Sequence, residues 1–292
     1  MSEQQRLMAL AQRVATEHMQ DPNLEAILLT GSVVYGQVDD VSDIDMTLYY
    51  ADLPSPAMFE AIQQKALGSG GGIYGYDPQE GLACYRFVEG IKVDTGHQTT
   101  ASLTEMLQKF VAKPDLDNDT HHIIMSGVQR GMALYGDAII HGWQNQLAGI
   151  APDFFRQLVE TNLRFAPRAV LQEMGVERRD YWLVNELILE AQQRILKVIC
   201  GLNRRIPPGK IKGMDVSLAT CAIVPSNVTE RLREVWMLPP TEAVAALIDL
   251  EQDLLDLVDI HLPQIDTQSE RQRLDLPLRK QVYSVMSARA FN

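Results

Sequence analysis

AILLTGSVVYGQVDDVSDIDMTLYY, residues 26–50, is the stretch that decides how this chain is read. An apolar run closes on Gly31-Ser32, and a second apolar run opens at Asp43-Ile44-Asp45. Side chains alternate between the faces of a strand. The spacing therefore puts Asp43 and Asp45 on one face and turns Ile44 and Met46 into a core. Two carboxylates about 4 Å apart repel by about 4 kcal/mol at an effective dielectric of about 20. A divalent cation held by oxygen ligands is the simplest compensation. Asp39 and Asp40, in the connecting loop, read as solvated turn residues.

Working outward, GIKVDTGHQ at residues 90–98 supplies a third carboxylate on a strand. Ile91 and Val93 face one way there, and Lys92 and Asp94 the other. The run LACYRFV at 82–88 precedes it, and Glu89-Gly90 between the two reads as a hairpin turn. His97 alternates away from Asp94 and is expected to be packed or capping.

Gly31, Ser32, Gly36, Ser42, Asp43 and Asp45, with Asp94 on a later strand, together resemble the signature of the polymerase-β-like nucleotidyltransferase superfamily. The resemblance covers residues 26 to about 97. It implies transfer of a nucleoside monophosphate from a nucleoside triphosphate, ATP being the first expectation, to an acceptor hydroxyl. It also implies two magnesium ions shared among Asp43, Asp45 and Asp94. Gly31 then lets the backbone approach phosphate without a Cβ clash, and Ser32 offers its hydroxyl and the turn's N–H groups. Gly36 begins the helix or turn that returns the chain, and Ser42 either bonds phosphate or braces the second strand. Lys210 and Lys212, in RIPPGKIKGM, are candidates to reach the triphosphate, with a solvated loop as the other reading. Glu186 and Glu190 lie four apart on one helix face and are candidates for a general base, ordinary surface carboxylates being the alternative. Tyr35 is placed to stack on a base or substrate ring, whereas Tyr181 and Trp182 read as core, with a place lining the acceptor cleft as the other reading.

Composition narrows the acceptor. The chain has 292 residues, 46% apolar and 22% charged, as in a globular protein of one or two domains. It carries 26 basic against 38 acidic residues, a net charge of −12. Polynucleotide binding draws on basic patches, so a nucleic-acid substrate is disfavoured. No run reaches membrane-spanning length and the first residues read as an amphipathic helix, so a cytoplasmic protein is expected. Cys84, Cys200 and Cys221 lack metal-ligand spacing and are expected to be reduced and buried.

The expected architecture is an N-terminal α+β nucleotidyltransferase domain, 1–117, with a small mixed sheet flanked by helices. An all-α bundle over 118–292 follows, its helices predicted at 122–136, 153–174, 180–201, 228–236 and 241–261. GSGGG at 68–72 lacks the ending of a P-loop and reads as a flexible connection. His121-His122 reads as a surface or capping pair at the start of the bundle. This layout resembles small-molecule enzymes of the aminoglycoside and lincosamide type, which implies a small hydroxylated acceptor, a substrate-binding second domain, and a monomer or homodimer. The alternatives are an adenylyltransferase acting on a protein and a nucleotide-binding regulatory module without turnover.

Overall fold

The computed structural model describes residues 2–276. Met1 and residues 277–292, the end of the expected helical domain, lie outside it. The chain divides into two compact units between Ala151 and Pro152.

The first unit opens with α1 (Glu3–His18), β1 (Leu24–Thr30), α2 (Ser32–Tyr35) and β2 (Ile44–Tyr50). It continues through α3 (Pro56–Gly68), β3 (Gly72–Asp77), β4 (Gly81–Val88), β5 (Ile91–Thr99) and α4 (Thr100–Ala112). It closes with α5 (Asp119–Arg130), β6 (Met132–Tyr135) and α6 (Asp137–Ala148). The strands form one mixed sheet in the order β3-β4-β5-β2-β1-β6, as a mixed sheet flanked by helices was expected. The pair β2/β5 is parallel and the other pairs are antiparallel.

Alternation along the central strands assigns the two faces. Ile44, Met46, Leu48, Tyr50 and Val93 bury against Leu7, Leu10, Ala11 and Val14 of α1. Asp45, Thr47, Tyr49 and Asp94 occupy the opposite face. Part of that face is covered: the Tyr49 ring meets Trp143 of α6 at 4.7 Å, and the Trp143 indole donates to Thr104 of α4 at 2.9 Å.

Three expectations change here. Residues 122–136 were predicted as one helix, but α5 ends before Gly131 and the next four residues pair with β1 as an edge strand. The glycines at both ends of β6 have a steric reason. A Cβ on Gly131 would lie 2.6 Å from Leu28 Cδ1, and one on Gly136 2.1 Å from the Glu25 carbonyl. The boundary expected at 117/118 consequently falls inside the first unit. In addition, residue 72 of the GSGGG segment begins β3, so the flexible connection is shorter than read.

The second unit is helical: α7 (Pro152–Asn162), a π-helical segment (Val170–Val176), α8 (Tyr181–Leu202), α9 (Met214–Ala219), α10 (Val228–Glu234), α11 (Pro240–His261) and α12 (Thr267–Leu274). The helix predicted over 153–174 stops at Asn162, and the chain resumes helical bonding from Pro167. Helices α7 and α8 cross closely, since a Cβ on Gly201 would lie 2.6 Å from Val159 Cγ2. Tyr181 and Trp182 are not core: Trp182 is 89% exposed, and the buried face of α8 starts at Val184. Cys84 and Cys200 are buried and unbridged as expected, while Cys221 is only half-buried. His122 is fully buried, its Nε2 2.7 Å from the Asp115 carbonyl oxygen, so it is not a surface residue.

Buried ionisable groups give the two units opposite pH dependences. Burial pushes the His97 imidazole down to about 3 and that of His18 to about 4. Both stay neutral in the fold while the unfolded chain takes up protons below about 6.5, so the first unit loses stability as pH falls from there toward 4. Glu251, on α11, is fully buried with both carboxylate oxygens unpartnered, and burial raises it to about 8. It remains protonated in the fold while the unfolded carboxyl ionises above 4.5, so the second unit loses stability as pH rises toward 8. Thermal unfolding at pH 6.5 and pH 9 is expected to show this alkaline loss, on the order of 2 kcal/mol over that interval. Glu251→Gln should remove it; an unchanged alkaline limb in that variant would refute the assignment.

Candidate active site

The site grows from one register. Asp45 of β2 lies beside Asp94 of the parallel strand β5, and on its other side it pairs with Thr30, the last residue of β1. Asp43 immediately precedes β2. The three half-buried carboxylates each offer an oxygen within 4.8 Å of the others. The sequence-predicted trio is therefore brought together, on the face opposite the α1 core.

The Gly31-Ser32 segment stands directly above it. Gly31 has φ +79° and ψ −164°, a conformation reserved almost wholly for glycine. A Cβ there would lie 2.6 Å from Asp45 Oδ2. The clash that glycine avoids is thus with the carboxylate itself. Ser32 opens the one-turn helix α2 where a simple turn was expected. Gly36 ends that turn in the left-handed region at φ +72°, its N–H bonding the Ser32 carbonyl, and so does not begin a helix. The Arg130 guanidinium lies over the Tyr35 ring, 5.2 Å from its centre. The Ser42 hydroxyl donates to Asp39 Oδ1 at 2.8 Å and accepts from the Asp39 N–H at 2.9 Å, which braces the loop leading into β2.

Two residues join the site that were not assigned from sequence. Lys92 Nζ lies 2.5 Å from Asp94 Oδ2 and 3.7 Å from Asp43 Oδ2. Burial works to lower the Lys92 pKa, but hydrogen bonds with Asp94 and Tyr74 outweigh it and hold the ammonium above its ordinary value. The Tyr74 hydroxyl donates to Asp94 Oδ1 at 2.7 Å. Lys92 was visible as a face-mate of Asp94, and the alternation in Ile73-Tyr74-Gly75-Tyr76 was a strand signal hidden by the adjacent glycines. A Cβ on Gly72 would lie 2.9 Å from the Tyr85 ring, which accounts for one of those glycines by packing.

His97 is buried behind the site, with Nδ1 3.0 Å from the Tyr50 hydroxyl and Nε2 3.3 Å from Thr95 Oγ1. The other sequence candidates lie in the second unit. Lys210 and Lys212 are exposed in the segment between α8 and α9, and Glu186 and Glu190 are exposed on α8. Glu190 is ion-paired with Arg194 at 2.6 Å.

The residues fit a divalent cation: three carboxylate oxygens converge, and the cation already lodged against two of them is an ammonium. Among the described residues no helix is long and apolar enough to cross a membrane.

No family model matches the chain, and no curated protein matches it. Among solved structures it is similar to a nucleotidyltransferase-like protein from Exiguobacterium sibiricum 255-15. That likeness has 11% identity and a TM-score of 0.35, and it covers 89% of this chain and 80% of the other. A likeness that remote says nothing of substrate or reaction.

Proposed function

We propose that this chain is a magnesium-dependent nucleotidyltransferase that moves a nucleoside monophosphate, adenylyl in the first instance, onto a hydroxyl of a small molecule. The observation that carries the reading is the convergence of Asp43, Asp45 and Asp94 beside a glycine whose missing Cβ leaves room for the Asp45 carboxylate. Magnesium bound there supplies charge neutralisation for the triphosphate and acidifies the acceptor hydroxyl.

The chain's own groups do the positioning. Asp45 and Asp94 are held side by side by strand register, and Asp43 closes the set from the loop. Ser32, at the start of α2, is the proposed donor to a terminal phosphate, with Lys210 and Lys212 as proposed further phosphate contacts and the helical unit as the acceptor-binding part. In the reaction the acceptor oxygen forms a bond to the α-phosphorus as the bond to the bridging oxygen breaks. Pyrophosphate leaves with that electron pair, and the acceptor's proton is released to solvent. The acidic balance of 38 against 26 supports a small acceptor over a polynucleotide.

The test is pyrophosphate release from each of the four ribonucleoside triphosphates, with magnesium and a panel of aminoglycosides, lincosamides and polyols. Release that requires magnesium and one acceptor supports the reading and names both substrates. Triphosphate binding without release from any acceptor moves the choice to a protein target or a regulatory module. Absence of magnesium-dependent triphosphate binding overturns the reading.

A further inference from the structure

Asp94 has neither oxygen free. Tyr74 donates to Oδ1, and the Lys92 ammonium holds Oδ2 while also lying 3.7 Å from Asp43. Lys92 reaches this position because residues two apart on β5 share a face. Behind it the ammonium rests over two aromatic faces, 5.1 Å from the centre of the Tyr85 ring and 5.6 Å from that of Tyr74. A positive group is thus built in where three carboxylates need one.

We infer that Lys92 is an internal counter-cation that competes with divalent metal for Asp94 and Asp43, and that an incoming triphosphate relieves this competition by drawing the ammonium onto its phosphates. The inference rests on the reading of the three carboxylates as a metal site. Its physical basis is exclusion: a metal ion taking Asp94 Oδ2 must displace an ammonium at 2.5 Å. The displaced ammonium has lost its anionic partners in a half-buried place and needs another. The triphosphate is the anion that the proposed reaction brings. Metal and nucleotide then bind cooperatively, and the coupling is reciprocal by linkage. Metal-free protein is also spared carboxylate repulsion, and metal alone binds measurably but about tenfold more weakly than it would without the ammonium.

Mn2+ serves as the probe, its free concentration read by electron paramagnetic resonance, with and without α,β-methylene-ATP. Lys92→Gln is expected to bind Mn2+ about tenfold more tightly than wild type when nucleotide is absent, and to lose most of the tightening that nucleotide brings. Lys92→Arg, which keeps the charge, should behave like wild type. Circular dichroism checks that each variant is folded, and Lys92→Gln should have a lower metal-free Tm and a larger Mn2+-induced rise. If Asp45→Asn loses Mn2+ binding but Lys92→Gln keeps wild-type affinity, the role of Lys92 is overturned and the metal site stands. If Asp45→Asn binds Mn2+ as wild type does, the metal site falls and the inference falls with it.

Discussion

Asp45→Asn is expected to abolish nucleotidyl transfer, by about a thousandfold or more, in a protein that remains folded. Asp45 is the middle member of the carboxylate set: it pairs in register with Asp94 and lies one residue removed from Asp43. Asparagine preserves the shape and one oxygen acceptor but removes the charge that holds a hard cation. The fold does not need that charge, because Ile44 and Met46, on the other face, anchor β2 in the α1 core. Two readouts separate the effects: pyrophosphate release reports the chemistry, and thermal unfolding reports the fold. A Tm within a few degrees of wild type with activity gone is the expected pair. Activity retained at near-normal level would remove Asp45 from the site, and the two neighbouring carboxylates would lose their rationale.

Gly31→Ala is the second large effect, and here fold and function both suffer. The glycine's backbone conformation costs other residues about 1–3 kcal/mol. The added methyl also meets Asp45 Oδ2 at 2.6 Å, closer than real Cβ contacts come. Either α2 or the carboxylate must move. A displacement near 1 Å in a reacting constellation costs about a hundredfold in rate. The variant should therefore melt lower than wild type and retain about 1% of its activity. Gly31→Ala with wild-type Tm and wild-type rate would mean that the segment above Asp45 is free to move and does not position it.

The central strands of the sheet were legible because their polar positions alternate with residues that bury. Asp43-Ile44-Asp45-Met46 and Lys92-Val93-Asp94 each declare two faces, and the structure keeps those faces. The edges were not legible in the same way. Met132–Tyr135 is four residues long and sits between helices, too short for a period of two to stand out from a period near four. Its status comes from the open edge of β1, a tertiary fact. Strand β3 was obscured by a run of glycines, two of which, Gly71 and Gly72, let Tyr85 and Arg86 approach closely, so part of a packing requirement looked like flexibility. The Lys92 contact escaped for another reason: alternation says which face a side chain takes, but not which neighbour its long stem will choose. Tyr181 and Trp182 failed because aromatic identity at a helix start does not decide which side of the helix meets the core.

The parallel pairing of β2 with β5 has a bearing on how the site comes into being. Between Tyr50 and Ile91 the chain makes a helix and two further strands before returning to lie beside β2. Asp45 and Asp94 are thus distant along the chain, and their meeting requires closure of a long loop, the slow kind of event in a folding reaction. Neither β1/β2 nor β4/β5 as a separate antiparallel pair assembles the three carboxylates. The nascent chain therefore holds no complete carboxylate set until β5 docks, and the third carboxylate meets Asp43 and Asp45 only when Lys92, arriving on that same strand, is there to offset the added charge.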